Sequence, residues 1–214
     1  MKTVRYLLTL LVAVCLPLTA AESTPGLADI QSAWARINYA DIDNDKKADE
    51  FRSLIKQAEA LVENQPKQPE YLIWLGIVQS STAGAEGGIG ALKYAKSAKK
   101  SFEDALAIDS HALQGSAMTS LGVLYHKVPG WPIGFGSDKK AEQLLKSALN
   151  VNPDGIDSNY FYAEYLYDDG EYEQALAYLD KALNAAPRPT RPLADEGRHK
   201  DIAALRAKVE KKIH

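Results

Sequence analysis

Ile156–Pro187, IDSNYFYAEYLYDDGEYEQALAYLDKALNAAP, decides how this chain is read. Apolar residues recur in it at three- and four-residue spacing, the mark of amphipathic helices. Gly170 breaks the pattern once, and Pro187 ends it, because proline lacks the N–H that a continuing helix needs. The stretch is therefore two helices joined by a tight turn. Ala163 on the first and Ala175 and Ala182 on the second are small enough for close approach, and Leu179 fills the space between.

Working outward, the same intervals return twice. Residues 115–153 carry Leu121, Gly122 and Tyr125, then Ala141, Leu145, Ala148 and Pro153. Residues 69–110 carry Leu75 and Gly76, then Ala98, Phe102 and Ala105. This is the tetratricopeptide spacing, in which each helical pair buries its apolar face only by stacking on its neighbours. Relative to Ala163–Ala175, the Gly122–Ala141 interval is seven residues longer and the Gly76–Ala98 interval ten. The first surplus is Val128-Pro129-Gly130-Trp131-Pro132-Ile133-Gly134-Phe135-Gly136, a packed or ligand-facing loop rich in apolar side chains. The second includes Gly84–Gly90, expected to be a flexible inter-helix loop.

The sequence predicts helices over Leu27–Tyr39, Lys46–Asn64, Glu70–Thr82, Ala91–Ile108, Ala112–Lys127, Lys139–Val151, Ser158–Asp168, Tyr172–Ala185 and Ala194–Lys212. Alternating β-branched runs are absent, and good helix formers dominate. The expected fold is all-α, a tetratricopeptide-like solenoid of helical hairpins with an inserted Trp-Pro-Ile-Gly-Phe-Gly loop and a C-terminal capping helix. Its parts are a signal segment at 1–21, N-terminal helices with a degenerate repeat at 22–66, three repeats at 67–193 and the capping helix at 194–214.

Residues 1–21 combine Lys2 and Arg5 with an apolar run from Tyr6 to Leu18, shorter than the roughly 20 residues a span needs, and small residues at Ala20-Ala21. This pattern predicts export to the periplasm. The lone cysteine, Cys15, follows Val14 where lipoprotein signals place a small residue, so lipid anchoring is not expected. Removing the segment moves the net charge from −3 to −5, which argues against a nucleic-acid partner.

Catalytic and metal patterns fail one by one, and neither a catalytic residue nor a cofactor is expected. None of the four histidines lies in a paired metal spacing. Asp41, Asp43 and Asp45 imitate the opening of a calcium loop, but Lys46 and Arg52 occupy the glycine and glutamate positions. Gly84–Gly90 lacks the Lys-Ser/Thr of a phosphate loop.

The first helices of stacked pairs line a concave surface. Repeat register places Ile73 and Ile77, Val123 and His126, and Tyr160, Glu164 and Tyr167 along it, with Trp131 and Phe135 contributed by the inserted loop. Lys127 also falls there, without the asparagines that grip a peptide carboxylate. The lining suits an apolar segment or an apolar small molecule. The alternative is that Ile73, Ile77 and Val123 are covered by the terminal helices and belong to the core. Trp131 and Phe135 are expected to pack on Tyr160, Phe161, Tyr162, Tyr165 and Tyr167. Arg188 and Arg191, held by flanking prolines, are expected to pair with Asp168, Asp169 or Glu164 and clamp the last repeat.

Five stretches carry a family resemblance: Ser120–Tyr125, Val128–Gly136 with Asp138–Ala141, Asn152–Asp157, Asn159–Tyr162 and Ala186–Leu193. Over roughly Pro69–Arg206 the chain resembles periplasmic tetratricopeptide proteins associated with TRAP transporters, the TatT-like group. It is more weakly similar to eukaryotic regulators of microtubule dynamics. The resemblance implies a non-enzymatic periplasmic protein that binds a partner protein or an apolar ligand, an organic acid or a lipid-like molecule. It also implies hand-over to a TRAP-type binding protein, and self-association. A scaffold for envelope assembly, working through protein contacts alone, is the second reading.

Overall fold

A computed structural model describes residues 26–213. The signal segment at 1–21, Cys15 and His214 lie outside the described residues. Among those described, nine helices follow one another: α1 (Leu27–Asn38), α2 (Asn44–Asn64), α3 (Pro69–Glu86), α4 (Ala91–Ile108), α5 (Ala112–Lys127), α6 (Asp138–Val151), α7 (Ile156–Asp168), α8 (Tyr172–Leu183) and α9 (Pro192–Ile213). None of them is long and apolar enough to cross a membrane.

Local chemistry sets the helix ends. Asp43 caps α2 by accepting from the Lys46 N–H at 2.8 Å, and Ser137 caps α6 by accepting from the Lys140 N–H at 3.4 Å. Pro69 opens α3, where its missing N–H is of no consequence. α3 continues past Thr82 and through Gly84 to Glu86, a turn further than the glycines suggested. An ion pair from Arg52 of α2 to Glu86 holds that last turn. Only Gly87–Gly90 remains as the turn, with Gly87 and Gly88 at positive φ.

The pairs α3/α4, α5/α6 and α7/α8 stack in sequence. Their close approaches explain the small residues. A Cβ on Gly76 would lie 2.5 Å from the Phe102 ring, and one on Gly122 2.9 Å from Leu145. Ala163 and Leu179 are the register equivalents in the last pair, and both are fully buried. At Gly76 and at Gly122 the small position has no room for a methyl unless its partner shifts, and the approach is tightest opposite phenylalanine.

α9 does more than cap the stack. Its Ile202, Leu205 and Val209 enter the core built by α3–α8, while Ala194 enters the core shared by α1, α2 and α3. A side chain on Gly197 would overlap the Tyr39 ring at the end of α1. Tyr39 in turn donates its hydroxyl to Asp201 at 3.3 Å. The N-terminal half of α9 thus docks on α1, and its C-terminal half on α8.

Candidate functional site

Between the concave face and this returning segment lies a cavity of about 950 Å³. α3 contributes Trp74 and Ile77, α5 Val123 and Leu124, α7 Phe161, and α1 Trp34. Ser80, Ser81, Ser116, Thr119 and Ser120 add hydroxyls to a mainly apolar wall. The Ser81 hydroxyl already accepts from the Trp34 indole N–H at 2.8 Å. Ile89 of the Gly87–Gly90 turn and Ile133 of the inserted loop line the same cavity while remaining 91% and 67% exposed, so they form part of its mouth.

At the start of α5, Leu113, Gln114 and Gly115 all take left-handed backbone, with φ of 46°, 56° and 77°. Positive φ in two consecutive non-glycine residues is uncommon and costs free energy, so the surrounding contacts must hold it. The Gln114 side chain is fixed by a bond from Asn152 Nδ2 at 3.1 Å, and Leu113 and Gln114 both face the cavity.

One end of the cavity is charged. Asp157, at the start of α7, accepts from Arg188 Nη1 at 2.6 Å and Arg198 Nε at 2.9 Å. Arg188 Nε donates to Asp195 at 2.6 Å, and Arg198 Nη1 to Asp201 at 3.1 Å. Burial alone would raise the Asp157 carboxyl; the Arg198, Arg188 and Arg191 guanidinium groups outweigh it and hold it well below the usual carboxylate range. Burial likewise opposes the charge of Arg198, but Asp157, Tyr39 and Asp201 keep it above the usual arginine range. Arg198 also lies 4.4 Å over the Tyr160 ring and 4.5 Å over that of Phe161. Arg191 differs. Its carbon sits 4.9 Å over the Trp74 ring, its buried Nε has no hydrogen-bond partner, and it forms no ion pair among the described residues. Burial, and then Arg188, push its pKa below that of a free arginine.

The residues expected along the concave face divide. Ile77 and Val123 line the cavity, with Lys127 and the inserted loop's Val128 and Pro129. Ile73 is fully buried in the core. His126, Glu164 and Tyr167 lie towards the far end of α5 and α7. There His126 meets Asp168 at 2.9 Å and Asp138 at 3.2 Å, Lys127 meets Asp168 at 2.8 Å and Glu164 at 3.5 Å, and Tyr167 packs on Tyr172. Tyr160 is buried beneath Arg198. The α7 part of the cavity comes from its N-terminal half, because the Arg188–Arg198 segment docks there.

Two expectations about packing are corrected. Phe135 packs edge-on against Tyr125, with centroids 5.6 Å apart, not on the tyrosines of α7, and Trp131 is 89% exposed. The inserted loop closes on its own backbone, with Gly136 N–H donating to Pro129 O at 2.9 Å and Gly134 N–H to Gly130 O at 3.0 Å. A side chain on Gly134 or Gly136 would run into that backbone, which is why both positions are glycine. Arg188 pairs with Asp157 and Asp195, not with the acids at the end of α7. Trp34, Trp74, Asp157 and Arg198 join the site without any local pattern that marks them. Prolines around Arg188 and Arg191 are the one local signal of a docked segment.

Residues 139–209 match the tetratricopeptide repeat family model. No curated protein matches the chain in sequence. Among solved structures it is similar to the crystal structure of a thermophilic tetratricopeptide-repeat protein of Thermus thermophilus, at 21% identity and a TM-score of 0.57, over 74% of this chain and 72% of that one. The match to the family model runs through most of α9, which packs along α8 as the next helix of a stack does. Residues 139–209 carry the tetratricopeptide family's sequence pattern, and the fold of the chain is a tetratricopeptide-like helical solenoid.

Proposed function

We propose that this protein is a non-enzymatic binding protein that holds an apolar small molecule in the cavity enclosed by its repeats. The observation that carries the reading is the cavity itself. Its volume of about 950 Å³ and its Trp74, Ile77, Val123 and Phe161 walls suit a single small ligand. An open tetratricopeptide groove would instead suit an extended peptide. Here the Arg188–Arg198 segment, pinned to α7 through Asp157, obstructs that path.

The export pattern at residues 1–21 supports a periplasmic site of action. The resemblance to TRAP-associated proteins supports hand-over of the ligand to a TRAP-type binding protein. A partner-docking reading also has support: Ile89 and Ile133 at the mouth, and Trp131 on the same inserted loop as Ile133, are exposed and apolar. Titration of the purified full chain with the neutral apolar dye Nile red tests ligand binding. Saturable emission enhancement is expected, weakened at least fivefold by Val123→Ser. Absence of saturable binding refutes the cavity reading. Crosslinked pull-down from periplasmic extract tests the partner reading, and recovery of no TRAP-type binding protein removes the hand-over role.

A further inference from the structure

We propose that the Gly87–Gly90 turn and the inserted loop dock this protein on a bilayer with anionic headgroups. Ile89, Trp131 and Ile133 enter the interface, and Lys93, Lys96, Lys139 and Lys140 meet the headgroups. Docking of this rim does not depend on what the cavity holds.

The two surpluses in repeat spacing carry the three most exposed large apolar side chains among the described residues, Ile89, Trp131 and Ile133. Ile89 and Ile133 share the mouth of the cavity, and Trp131 is on the same loop as Ile133. The inserted loop is ordered by its own bonds, from Gly136 N–H to Pro129 O and from Gly134 N–H to Gly130 O. Docking it therefore costs little chain entropy.

Charge around these segments runs against that of the whole chain. The net charge is −3, yet Gly87–Phe102 holds four lysines and no acid, and Val128–Ser137 holds no acid either. Lys99 and Lys100 pair with Glu103 and Asp104 further along α4. Lys93, Lys96, Lys139 and Lys140 are exposed and form no ion pair among the described residues. The acids at the feet of the two segments are engaged, Glu86 with Arg52 and Asp138 with His126 at 3.2 Å. Helices α4 and α6 flank the loop. Lys99 Nζ lies 5.8 Å from the centre of the Phe135 ring, Lys140 Nζ lies 5.0 Å from that of Tyr125, and the two rings meet edge-on.

Exposed apolar side chains rimmed by polar ones mark a protein or a membrane interface. Protein–protein interfaces are depleted in lysine, whereas lysines around tryptophan and aliphatic side chains are the composition of a membrane-surface anchor. Each lysine beside an anionic surface raises affinity roughly fivefold. The uncommitted lysines therefore favour the bilayer.

The test titrates the purified full chain with vesicles of phosphatidylcholine alone and of phosphatidylcholine mixed equally with phosphatidylglycerol. Trp34 and Trp74 are buried, so Trp131 is the tryptophan whose emission reports the interface. A blue shift is expected with the anionic vesicles, and an affinity at least tenfold higher than for the neutral ones. Salt at about 0.5 M is expected to remove most of that preference. The triple variant Lys93→Gln, Lys96→Gln and Lys139→Gln spares Lys140, which packs over Tyr125, and is expected to weaken anionic binding at least tenfold. Trp131→Ala is expected to weaken it at least fivefold, read by co-sedimentation. Adsorption through residues 1–21 is common to the natural protein and its variants, so the comparison isolates the loops, and the urea midpoint checks that each variant folds. Equal affinity for the two kinds of vesicle, or binding to neither, overturns the proposal. Anionic binding unchanged in both folded variants overturns the assignment to these loops. Crosslinking at Trp131 to a protein, without vesicle binding, assigns the loops to protein docking and overturns the bilayer. Nile red titration without vesicles reads the cavity separately, so either reading can fail while the other stands.

Discussion

Asp157→Asn removes the charge that pins the returning segment to α7. In the native protein this carboxylate receives Arg188 at 2.6 Å and Arg198 at 2.9 Å. An asparagine keeps the shape but has one acceptor oxygen, and its amide turns N–H groups toward guanidinium. Breaking a buried ion pair on one side costs about 3–5 kcal/mol. The Asp157 side chain remains 32% exposed, facing the cavity, so screening reduces the expected loss to roughly 2–3 kcal/mol. The pH dependence follows from the depressed carboxyl. A folded pKa below the unfolded value of about 3.9 contributes stability that is fully present above the unfolded value. That stability is lost as pH falls toward the folded one. Urea unfolding of both proteins at pH 7 and at pH 3 measures the difference. The gap is expected to be widest at pH 7 and to narrow at pH 3, other carboxylates cancelling between the two. A gap absent at pH 7, or unchanged at pH 3, refutes the assignment of Asp157 as the anchor.

Gly76→Ala places a methyl 2.5 Å from the buried Phe102 ring. Three ring carbons lie within 3 Å, so the overpacking cost falls at the upper end of the usual range, about 3 kcal/mol; an intrinsic helix gain of about 1 kcal/mol leaves an expected net loss of about 2 kcal/mol. Adding Phe102→Leu, which reproduces the leucine of the other two pairs, is expected to restore most of it; a thermal melt unchanged by the single substitution contradicts the close approach. Trp131→Ala removes a ring that is 89% exposed, so the urea midpoint is expected to correspond to a change within about 0.5 kcal/mol. A loss near 3 kcal/mol would place that ring in a core.

The ease of reading α4 contrasts with the difficulty of α9. The ends of α4, Ala91 and Ile108, follow from the sequence to the residue, because its pattern of Ala95, Ala98, Phe102 and Ala105 is local and faces one core. α9 is charge-rich, and charged residues ordinarily face water. Two of its buried positions are Asp195 and Arg198, whose partners sit on Arg188 and Asp157. A pattern that assigns charges to the surface cannot see a buried ion-pair network. The cavity residues divide in the same way. Ile77 and Val123 follow from repeat register, whereas Trp34 reaches the cavity through the packing of α1 on α3, and Arg191 because the chain returns.

The sequence alone determined the helices, their pairing and the small-against-large contacts within each pair. Each rests on spacing of a few residues and on backbone chemistry at glycine and proline. The tertiary structure alone decided that α9 returns to α1, with Gly197 against Tyr39 across most of the chain. That contact depends on how the twist of the stack accumulates over successive pairs, and no local pattern encodes the sum. The same return closes the concave face, moves the α7 lining to its N-terminal half, and leaves Arg191 beside Trp74 without a carboxylate partner.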